Sequence, residues 1–313
     1  MFAEIEAWVG SWRQLFNRSE WIIRQLRLPV SKGTEEEPGL LLIQVDGLSR
    51  RQLEKAIHEG RLPFLKSLCR REEHELLTFY SGLPSTTPAV QAELYFGVRG
   101  GVPAFSFRDP DSGEITSLFN PELARQLERQ FARHGQGLLT GGSSWSNIFS
   151  GGAASGETHF CISRMGIGDI WRRSHLLTLF TVLILHPISV LRVIALVLLE
   201  FAIGLTDALA GMCRGYSPLP EMATVLSRMC AGIALREVIT VGGKVDLARG
   251  LPVIHLNFVG YDEMAHRRGP AGRFSHWSLL GIDRSIRDLH RAAHASRRRD
   301  YHVWIFSDHG QEA

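Results

Sequence analysis

Residues 40–47 read Leu-Leu-Leu-Ile-Gln-Val-Asp-Gly, an apolar run that ends in a carboxylate followed by a glycine. Two later runs have the same form: residues 251–262 read Leu-Pro-Val-Ile-His-Leu-Asn-Phe-Val-Gly-Tyr-Asp, and residues 301–309 read Tyr-His-Val-Trp-Ile-Phe-Ser-Asp-His. Short apolar runs flanked by Gly, Pro or charge are typical of buried strands in an α/β sheet. Because open α/β sheets bind ligands at the carboxyl ends of their strands, we expect the three aspartates to converge.

The composition sets the broad class of the protein. The chain has 313 residues, with 35 Lys and Arg against 32 Asp and Glu and a formal net charge of +3. This length favours one large α/β domain with an insertion, although two domains would also fit. The nearly balanced charge indicates no nucleic-acid binding. The four cysteines show no Cys-x-x-Cys spacing, which favours reduced structural thiols over a zinc–thiolate site.

The N-terminal residues 2–26 carry apolar side chains at spacings of three and four, with Arg and Glu between them. This pattern predicts an amphipathic helix or a pair of helices, broken near Asn17 so that Ser19 caps the second. We assign residues 1–30 to this helical leader and find no cleavable signal peptide. The leader either packs on the domain or anchors the protein at a membrane, since its tryptophans and arginines suit a headgroup boundary.

A polar linker over residues 31–38 joins the leader to a catalytic domain predicted over residues 39–313. Within this domain we expect one helix over residues 50–70. A Gly- and Ser-rich stretch over residues 135–156 is interpreted as a loop that lines the cleft.

The least polar passage is Leu176–Leu205, which belongs to a predicted helical insertion at residues 172–215. The dipeptide His186-Pro187 divides it into two pieces, each expected to be shorter than the roughly 20 apolar residues that a membrane span needs. Three arrangements remain open: a helical hairpin that turns at this dipeptide and dips into a membrane face, a helical pair buried against a partner, and an insertion folded on its own domain.

Candidate metal ligands follow each of the three apolar runs. Asp46 lies at a strand end before a glycine, although Asp-Gly also occurs in ordinary turns. Asp262 and His266 are four residues apart, and a helix would place both on one face, where they could hold one ion. Asp308 and His309 leave a strand end in different directions, so they could serve two neighbouring ions.

A candidate nucleophile lies in the segment Pro84-Ser85-Thr86-Thr87-Pro88-Ala89, before a predicted helix over residues 90–96. Pro88 suits the first helical position, which would make Thr87 the N-cap. There its hydroxyl would lie beside backbone N–H groups and the positive end of the helix dipole, a suitable place for phosphoryl oxygens. A simple capping threonine is the alternative, but a metal ion on the hydroxyl would activate it as a nucleophile.

Together these segments resemble the alkaline phosphatase superfamily, in particular its type I phosphodiesterase and nucleotide pyrophosphatase branch. The resemblance runs from about Gly39 to the C-terminus, and two further stretches, 102–105 and 141–144, are similar to a bacterial membrane-associated subgroup. It implies an α/β fold, namely an alkaline phosphatase-like three-layer sandwich with a mostly parallel central sheet and a helical apolar insertion. The segments that carry the resemblance occur in the family's order: Val45-Asp46-Gly47, Pro84-Ser85-Thr86-Thr87-Pro88-Ala89, Tyr261-Asp262-Glu263-Met264-Ala265-His266 and Ser307-Asp308-His309-Gly310.

The resemblance also implies two divalent metal ions. Zinc is favoured by the mixed His and Asp ligand set, and manganese also suits carboxylates. Arg108 is a candidate for binding a non-bridging phosphoryl oxygen, and a surface arginine is the alternative. The implied ligands are Asp46, Thr87, Asp308 and His309 for one ion, and Asp262 and His266 for the other.

In the family a downstream histidine usually completes the second metal site, and no such residue precedes Ala313. We therefore expect a C-terminally incomplete domain that binds one ion well and the second poorly, with little turnover. The alternative is that His255, His276 or a partner chain supplies the third ligand.

These features predict a phosphoesterase that works through a phosphothreonine intermediate on Thr87. Two alternatives remain, a transferase of the same fold that moves a phospho group or phospholipid headgroup, and a catalytically silent membrane-associated scaffold. The expected partners are a phosphate-ester substrate, either a nucleotide or a lipid-linked phosphate, and a membrane. We expect a membrane-associated protein that is otherwise cytoplasmic.

Overall fold

The computed structural model describes residues 18–31, 37–71, 74–108, 113–164, 187–213, 215 and 217–311. The strands are β1 (Gly39–Val45), β2 (Ser106–Arg108), β3 (Ile115–Ser117), β4 (Ser143–Trp145), β5 (Thr158–His159), β6 (Val253–Phe258) and β7 (Tyr301–Phe306). The α-helices are α1 (Arg18–Leu26), α2 (Arg50–His58), α3 (Pro63–Arg70), α4 (Thr87–Phe96), α5 (Pro121–Phe131), α6 (Pro187–Cys213), α7 (Pro218–Ser227), α8 (Arg236–Arg249), α9 (Gly260–Arg268) and α10 (Arg273–His294). A π-helix spans Arg228–Leu235, and short 3-10 helices span Ser155–Glu157 and Ile162–Arg164.

Five of these strands form a parallel sheet in the order β5-β4-β6-β1-β7, as expected for an α/β fold. The three apolar runs identified in the sequence are β1, β6 and β7, and they lie side by side. Strands β1 and β6 are buried on both faces, which explains why their sequences are apolar rather than alternating. Strand β7 lies at the edge of the sheet and leaves Trp304 64% exposed.

Helices cover both faces of the sheet, an arrangement compatible with the expected three-layer sandwich. On one face, Leu41, Ile43 and Val45 pack against α2, α3, α8 and α10 in one apolar cluster. On the other face, α4 and α5 form a second cluster that reaches β6 at Val253. Because β1, β6 and β7 run parallel, their carboxyl ends lie together at one side of the domain.

Two expectations for local structure are wrong. The helix expected over residues 50–70 is divided into α2 and α3, because the chain turns at Gly60 with a φ of +73° and Asp283 accepts hydrogen bonds from the amides of Phe64 and Leu65 at the start of α3. The Gly- and Ser-rich residues 135–156 are not only loop, because they contain β4. A Cβ atom on Gly142 would lie 1.9 Å from the Val253 carbonyl oxygen, so a small residue permits the close approach to β6.

The described part of the leader is α1, which packs on the domain. Ile22 and Ile23 are buried against Val245 of α8, and Arg298 donates to Glu20 at 3.0 Å. Ser19 lies within α1 and therefore does not cap it. The remainder of the predicted leader, residues 1–17, lies outside the described residues.

The apolar insertion is described from Pro187 onwards, and its expected turn at residue 186 lies outside the described residues. Helix α6 continues past Leu205 to Cys213, so the expectation that this piece is too short to span a membrane is wrong. Within the described residues, Val193–Cys213 has the length and apolar composition needed to cross a bilayer, with a mean hydropathy of 2.1 and only 13% of that window buried. Helix α6 packs against α7 and the π-helix, and the π-helix also contacts α9.

Candidate metal centre

The parallel register brings the predicted ligands to one edge of the sheet. Asp46 follows β1, and its amide donates to the Phe258 carbonyl at the end of β6, at 3.2 Å. Asp308 and His309 follow β7, the other neighbour of β1. Asp46 and Asp308 are buried at 5% and 0% exposure, so two carboxylates lie inside the protein at neighbouring strand ends.

Three of the predicted ligands form one compact group. A ligand atom from each of Asp46, Asp308 and His309 lies within 4.8 Å of the other two. The Nε2 atom of His309 is 3.3 Å from Asp46 Oδ1 and 3.7 Å from Asp308 Oδ2. The Thr87 hydroxyl donates to Asp46 Oδ1 at 3.3 Å and lies 3.3 Å from His309 Nε2. The nucleophile predicted from sequence therefore contacts two of the predicted metal ligands.

The second predicted pair adjoins this group. Asp262 and His266 lie on one face of α9, with Oδ2 and Nε2 3.2 Å apart, as their spacing predicts. Asp262 packs against the turn after Asp46, because a Cβ atom built on Gly47 would lie 2.1 Å from Asp262 Oδ1. Gly47 has a φ of +71°, so the turn uses glycine both for its backbone conformation and for this close approach.

Burial and neighbouring charges shift the pKa values in the site. Burial raises the pKa of Asp308 to about 7, and the charge of Asp46 adds to the shift. Burial and the charge of Asp46 likewise raise the pKa of Asp262. For His309, burial alone would lower the pKa, but the hydrogen bond with Asp46 and the charges of Asp308, Asp46 and Asp262 raise it to about 9. Burial is the main cause of the two aspartate shifts, and the negative charge that contributes to all three shifts is one that a cation would offset.

The residues fit a divalent metal ion. Both carboxylate oxygens of Asp308 are buried without a well-formed hydrogen bond from the described residues, and the contacts with Thr87 and with its own backbone lower its pKa less than burial raises it. A buried carboxylate without a donor is costly, and such groups are normally paired or bound to a metal. Two carboxylates and an imidazole within 4.8 Å also form a ligand set that zinc and manganese both accept.

Helix α4 positions Thr87 one residue further into the helix than expected. Thr86 is the N-cap, with extended backbone and no capping hydrogen bond from its side chain, and Thr87 is the first helical residue. The prediction that Thr87 is the N-cap is therefore wrong, because Pro88 occupies the second helical position rather than the first. The change still leaves the Thr87 hydroxyl at the N-terminal end of α4.

The structure does not bring Arg108 to this site. Arg108 is exposed on β2, which pairs with β3 in a separate two-stranded sheet. Among the described residues, no hydrogen bond or ion pair joins it to Asp46, Asp308 or His309. Its position agrees with the alternative of a surface arginine.

Neither alternative histidine completes the second pair. His255 is fully buried in the middle of β6, where its Nδ1 atom contacts the Tyr95 hydroxyl and its ring stacks on Phe306. His276 contacts Glu59 at 3.1 Å through its own Nδ1 atom. Within the part of the chain that the structure describes, no third His, Cys, Asp or Glu side chain forms a compact group with Asp262 and His266.

Three polar residues that the sequence reasoning missed hold the ligands in place. Asn257 is buried in β6 and donates to Asp46 Oδ2 at 3.3 Å. Ser307 accepts from the Leu48 amide at 2.9 Å and donates to the His309 carbonyl at 2.7 Å, so it joins two of the ligand-bearing turns. Gln311 donates to the Asp262 carbonyl at 3.2 Å. A polar residue inside an apolar strand or directly after it is the sequence signal that could have identified such residues, and Asn257 and Ser307 both fit this description.

Comparison of the chain with models of protein families, with curated proteins and with solved structures finds no match. The functional assignment of this site therefore depends on its geometry and on the chemistry of its side chains.

The contact between Gly47 and Asp262 predicts a specific effect of one added methyl group. Gly47→Ala should displace the Asp262 carboxylate and weaken metal binding, in addition to a conformational cost of about 1 kcal/mol for alanine at positive φ. Gly60→Ala is the matched control, because Gly60 has a φ of +73° and no neighbouring atom within 4 Å of an added Cβ atom. Zinc titration and urea unfolding of both variants test this, and equal zinc affinities would contradict the role given to Gly47.

The raised pKa values predict how the stability of the metal-free protein depends on pH. Because the pKa of Asp308 is raised from 3.8 to about 7, the folded state retains a proton that the unfolded state loses, so the free energy of unfolding should fall as pH rises across that interval. His309, whose pKa is raised from 6.5 to about 9, should extend the fall to higher pH. Urea unfolding in a chelator at several pH values measures the slope. Asp308→Asn should flatten the lower part, and an unchanged slope would contradict the assigned shift.

Proposed function

We propose that this protein is a metal-dependent phosphoesterase of the alkaline phosphatase type, which hydrolyses phosphate esters through a phosphothreonine intermediate on Thr87. The observation that carries the proposal is the position of the Thr87 hydroxyl, 3.3 Å from both Asp46 Oδ1 and His309 Nε2 at the N-terminal end of α4. In that position the hydroxyl lies beside a carboxylate that can accept its proton, beside a set of metal ligands, and at a helix end that favours anions.

Thr87 is supported as the nucleophile by the direction of its hydrogen bond. Its hydroxyl is the donor to Asp46 Oδ1, so the proton points away from the lone pairs that would attack phosphorus. Attack forms the bond between Thr87 Oγ1 and phosphorus and breaks the bond to the leaving oxygen. The hydroxyl proton of Thr87 is lost to solvent, and the leaving oxygen takes up a proton from solvent. Water then cleaves the phosphothreonine, releases phosphate or a phosphomonoester, and restores the hydroxyl.

The charged groups of the site would bind and orient the phosphoryl group. Asp46, Asp308 and His309 would hold one divalent ion, and Asp262 and His266 a second, with zinc favoured and manganese acceptable. Such ions supply a Lewis acid that activates the threonine oxygen and neutralises charge on the phosphoryl oxygens. The first-turn amides of α4 would face the same oxygens from the protein side. Asn257 and Ser307 would keep Asp46 and His309 in place.

Enzyme assays distinguish a phosphoesterase from the two alternatives, a transferase of the same fold and a catalytically silent scaffold. Slow hydrolysis of a nitrophenyl phosphodiester and of the monoester by zinc-loaded protein is expected, because only Asp262 and His266 hold the second ion, and Asp308→Asn should remove this activity. A transferase of the same fold would instead move the phospho group to an added alcohol in preference to water. A catalytically silent scaffold would yield no nitrophenol from either substrate, and that result would overturn the proposal.

We also infer that α6 and α7 contact a membrane, so that the substrate is a phosphate ester found at or near a lipid surface. Support comes from the apolar side chains that the two helices leave exposed to solvent. A phosphate ester bound at α9 would lie near this surface, because the π-helix links α6 and α7 to α9. The exposed side chains are Leu191, Ile194, Leu198, Leu199, Phe201, Leu209, Leu219, Met222 and Leu226.

The nucleophile assignment predicts opposite results for two adjacent threonines. Thr87→Ala should lower the turnover number by a factor on the order of 10³ or more while metal binding is largely kept, and Thr87→Ser should retain part of the activity. Thr86→Ala is the control, because the Thr86 hydroxyl is buried and has no hydrogen-bond partner among the described residues. Steady-state hydrolysis of the nitrophenyl diester measures both, and full activity in Thr87→Ala would refute the assignment.

Membrane contact predicts that one charge on α6 reduces binding to lipid vesicles. Leu198 is 62% exposed on α6, and Leu198→Glu should lower the fraction of protein that sediments with vesicles. Leu77 is 72% exposed outside the apolar helices, so Leu77→Glu should leave that fraction unchanged. Equal sedimentation of the parent and Leu198→Glu would count against membrane contact.

A further inference from the structure

Three histidines form a second cluster of nitrogen ligands, away from the candidate metal centre. His290 and His294 are four residues apart near the C-terminal end of α10, and His74 lies in the segment after α3. After α10 the chain enters β7 at Tyr301, whereas the candidate metal centre follows the other end of that strand. A strand of six residues is about 20 Å long, so the two groups lie at opposite ends of the sheet.

The spacing between two of these rings suits a shared ion. The Nε2 atoms of His290 and His294 are 3.2 Å apart, and their ring centroids are 4.3 Å apart. Two imidazole nitrogens bound to one tetrahedral zinc ion are separated by about 3.3 Å, given the usual zinc–nitrogen bond length. Residues four apart on a helix can therefore chelate one ion without any change in the backbone.

His74 supplies a third imidazole at this place. Its ring centroid lies 5.5 Å from that of His290, similar to the roughly 5 Å expected between two imidazoles on one ion. The Nδ1 atom of His74 is buried and has no hydrogen-bond partner among the described residues. The edge of Phe64 packs on the His290 ring, with centroids 5.4 Å apart, and this contact fixes the plane of that imidazole.

A hydrogen bond between the two imidazoles of α10 is the simpler explanation for their approach. In that case one ring carries a proton on Nε2 and the other accepts it. The hydrogen bond accounts for His290 and His294 but not for the buried, unpartnered Nδ1 atom of His74. One ion shared by the three rings accounts for all three.

We propose that His74, His290 and His294 form a binding site for a late first-row transition metal ion, with a side-chain rotation of His74 completing the ligand set. Three neutral imidazoles favour Cu²⁺, Ni²⁺ or Zn²⁺ over the hard ions that prefer oxygen. The ion links the segment after α3 to the end of α10, so it stabilises the folded state. This site is independent of the proposed phosphoesterase function.

Nickel titration of the full chain tests the site, with Asp308→Asn as the background so that the candidate metal centre contributes little. Calorimetry after chelator treatment should detect nickel binding in this parent, and the melting temperature should rise with added nickel. His290→Asn and His294→Asn should each lower the nickel affinity by about tenfold or more and abolish the rise. Circular dichroism of the metal-free variants confirms that they fold.

His134→Asn is the matched control, because His134 is exposed and lies outside the cluster. It should bind nickel like the parent. Unchanged affinity in His290→Asn or His294→Asn would overturn the site. His74→Asn tests the third ligand, and nickel binding as tight as in the parent would show that the three-histidine assignment is wrong.

Discussion

Strand β1 pairs in parallel with β6 on one side and with β7 on the other, and the approach of Asp46 to Asp308 and His309 depends on this pairing. The register places Gln44 beside both Asn257 and Phe306, so the next residues of each strand reach the same edge together. Side chains more than two hundred residues apart in sequence thereby come within a few ångströms. A shift of one residue in either pairing would turn the ligands towards opposite faces and disperse the site.

Packing and electrostatics have opposite effects on the free energy of folding. Apolar clusters on both faces of the sheet stabilise the fold, while the buried carboxylates of Asp46 and Asp308 oppose it when no cation is present. The hydrogen bonds of Asn257 and Ser307 hold the ligands in a geometry that their mutual repulsion disfavours. Local destabilisation of this kind is characteristic of functional sites, where the binding of a charged ligand offsets it.

The sequence predicted the parts of the structure that follow from periodicity and from strand ends. The strands β1, β6 and β7, the helix that carries Asp262 and His266, and the meeting of Asp46 with Asp308 and His309 all appear as expected. Features that depend on tertiary contacts were missed. Strand β4 forms because small residues approach β6, and the start of α3 is stabilised by Asp283 from a distant helix. The length of α6 was underestimated because the small and polar residues after Leu205 resemble the end of a helix, whereas the helix continues through them to Cys213.

Strand β7 has a further consequence, because it is an edge strand of the parallel sheet and exposes Trp304 on its surface. Among the described strands β7 has no neighbour on its outer side, and an edge of this kind can pair with a strand of another molecule, which is how many β-sheet proteins aggregate. The same strand carries Asp308 and His309 at its end. A strand that added to this edge would hydrogen bond to the outer side of β7, while the pairing of β7 with β1 would still hold Asp308 and His309 beside Asp46, so association at this edge would leave the metal centre assembled.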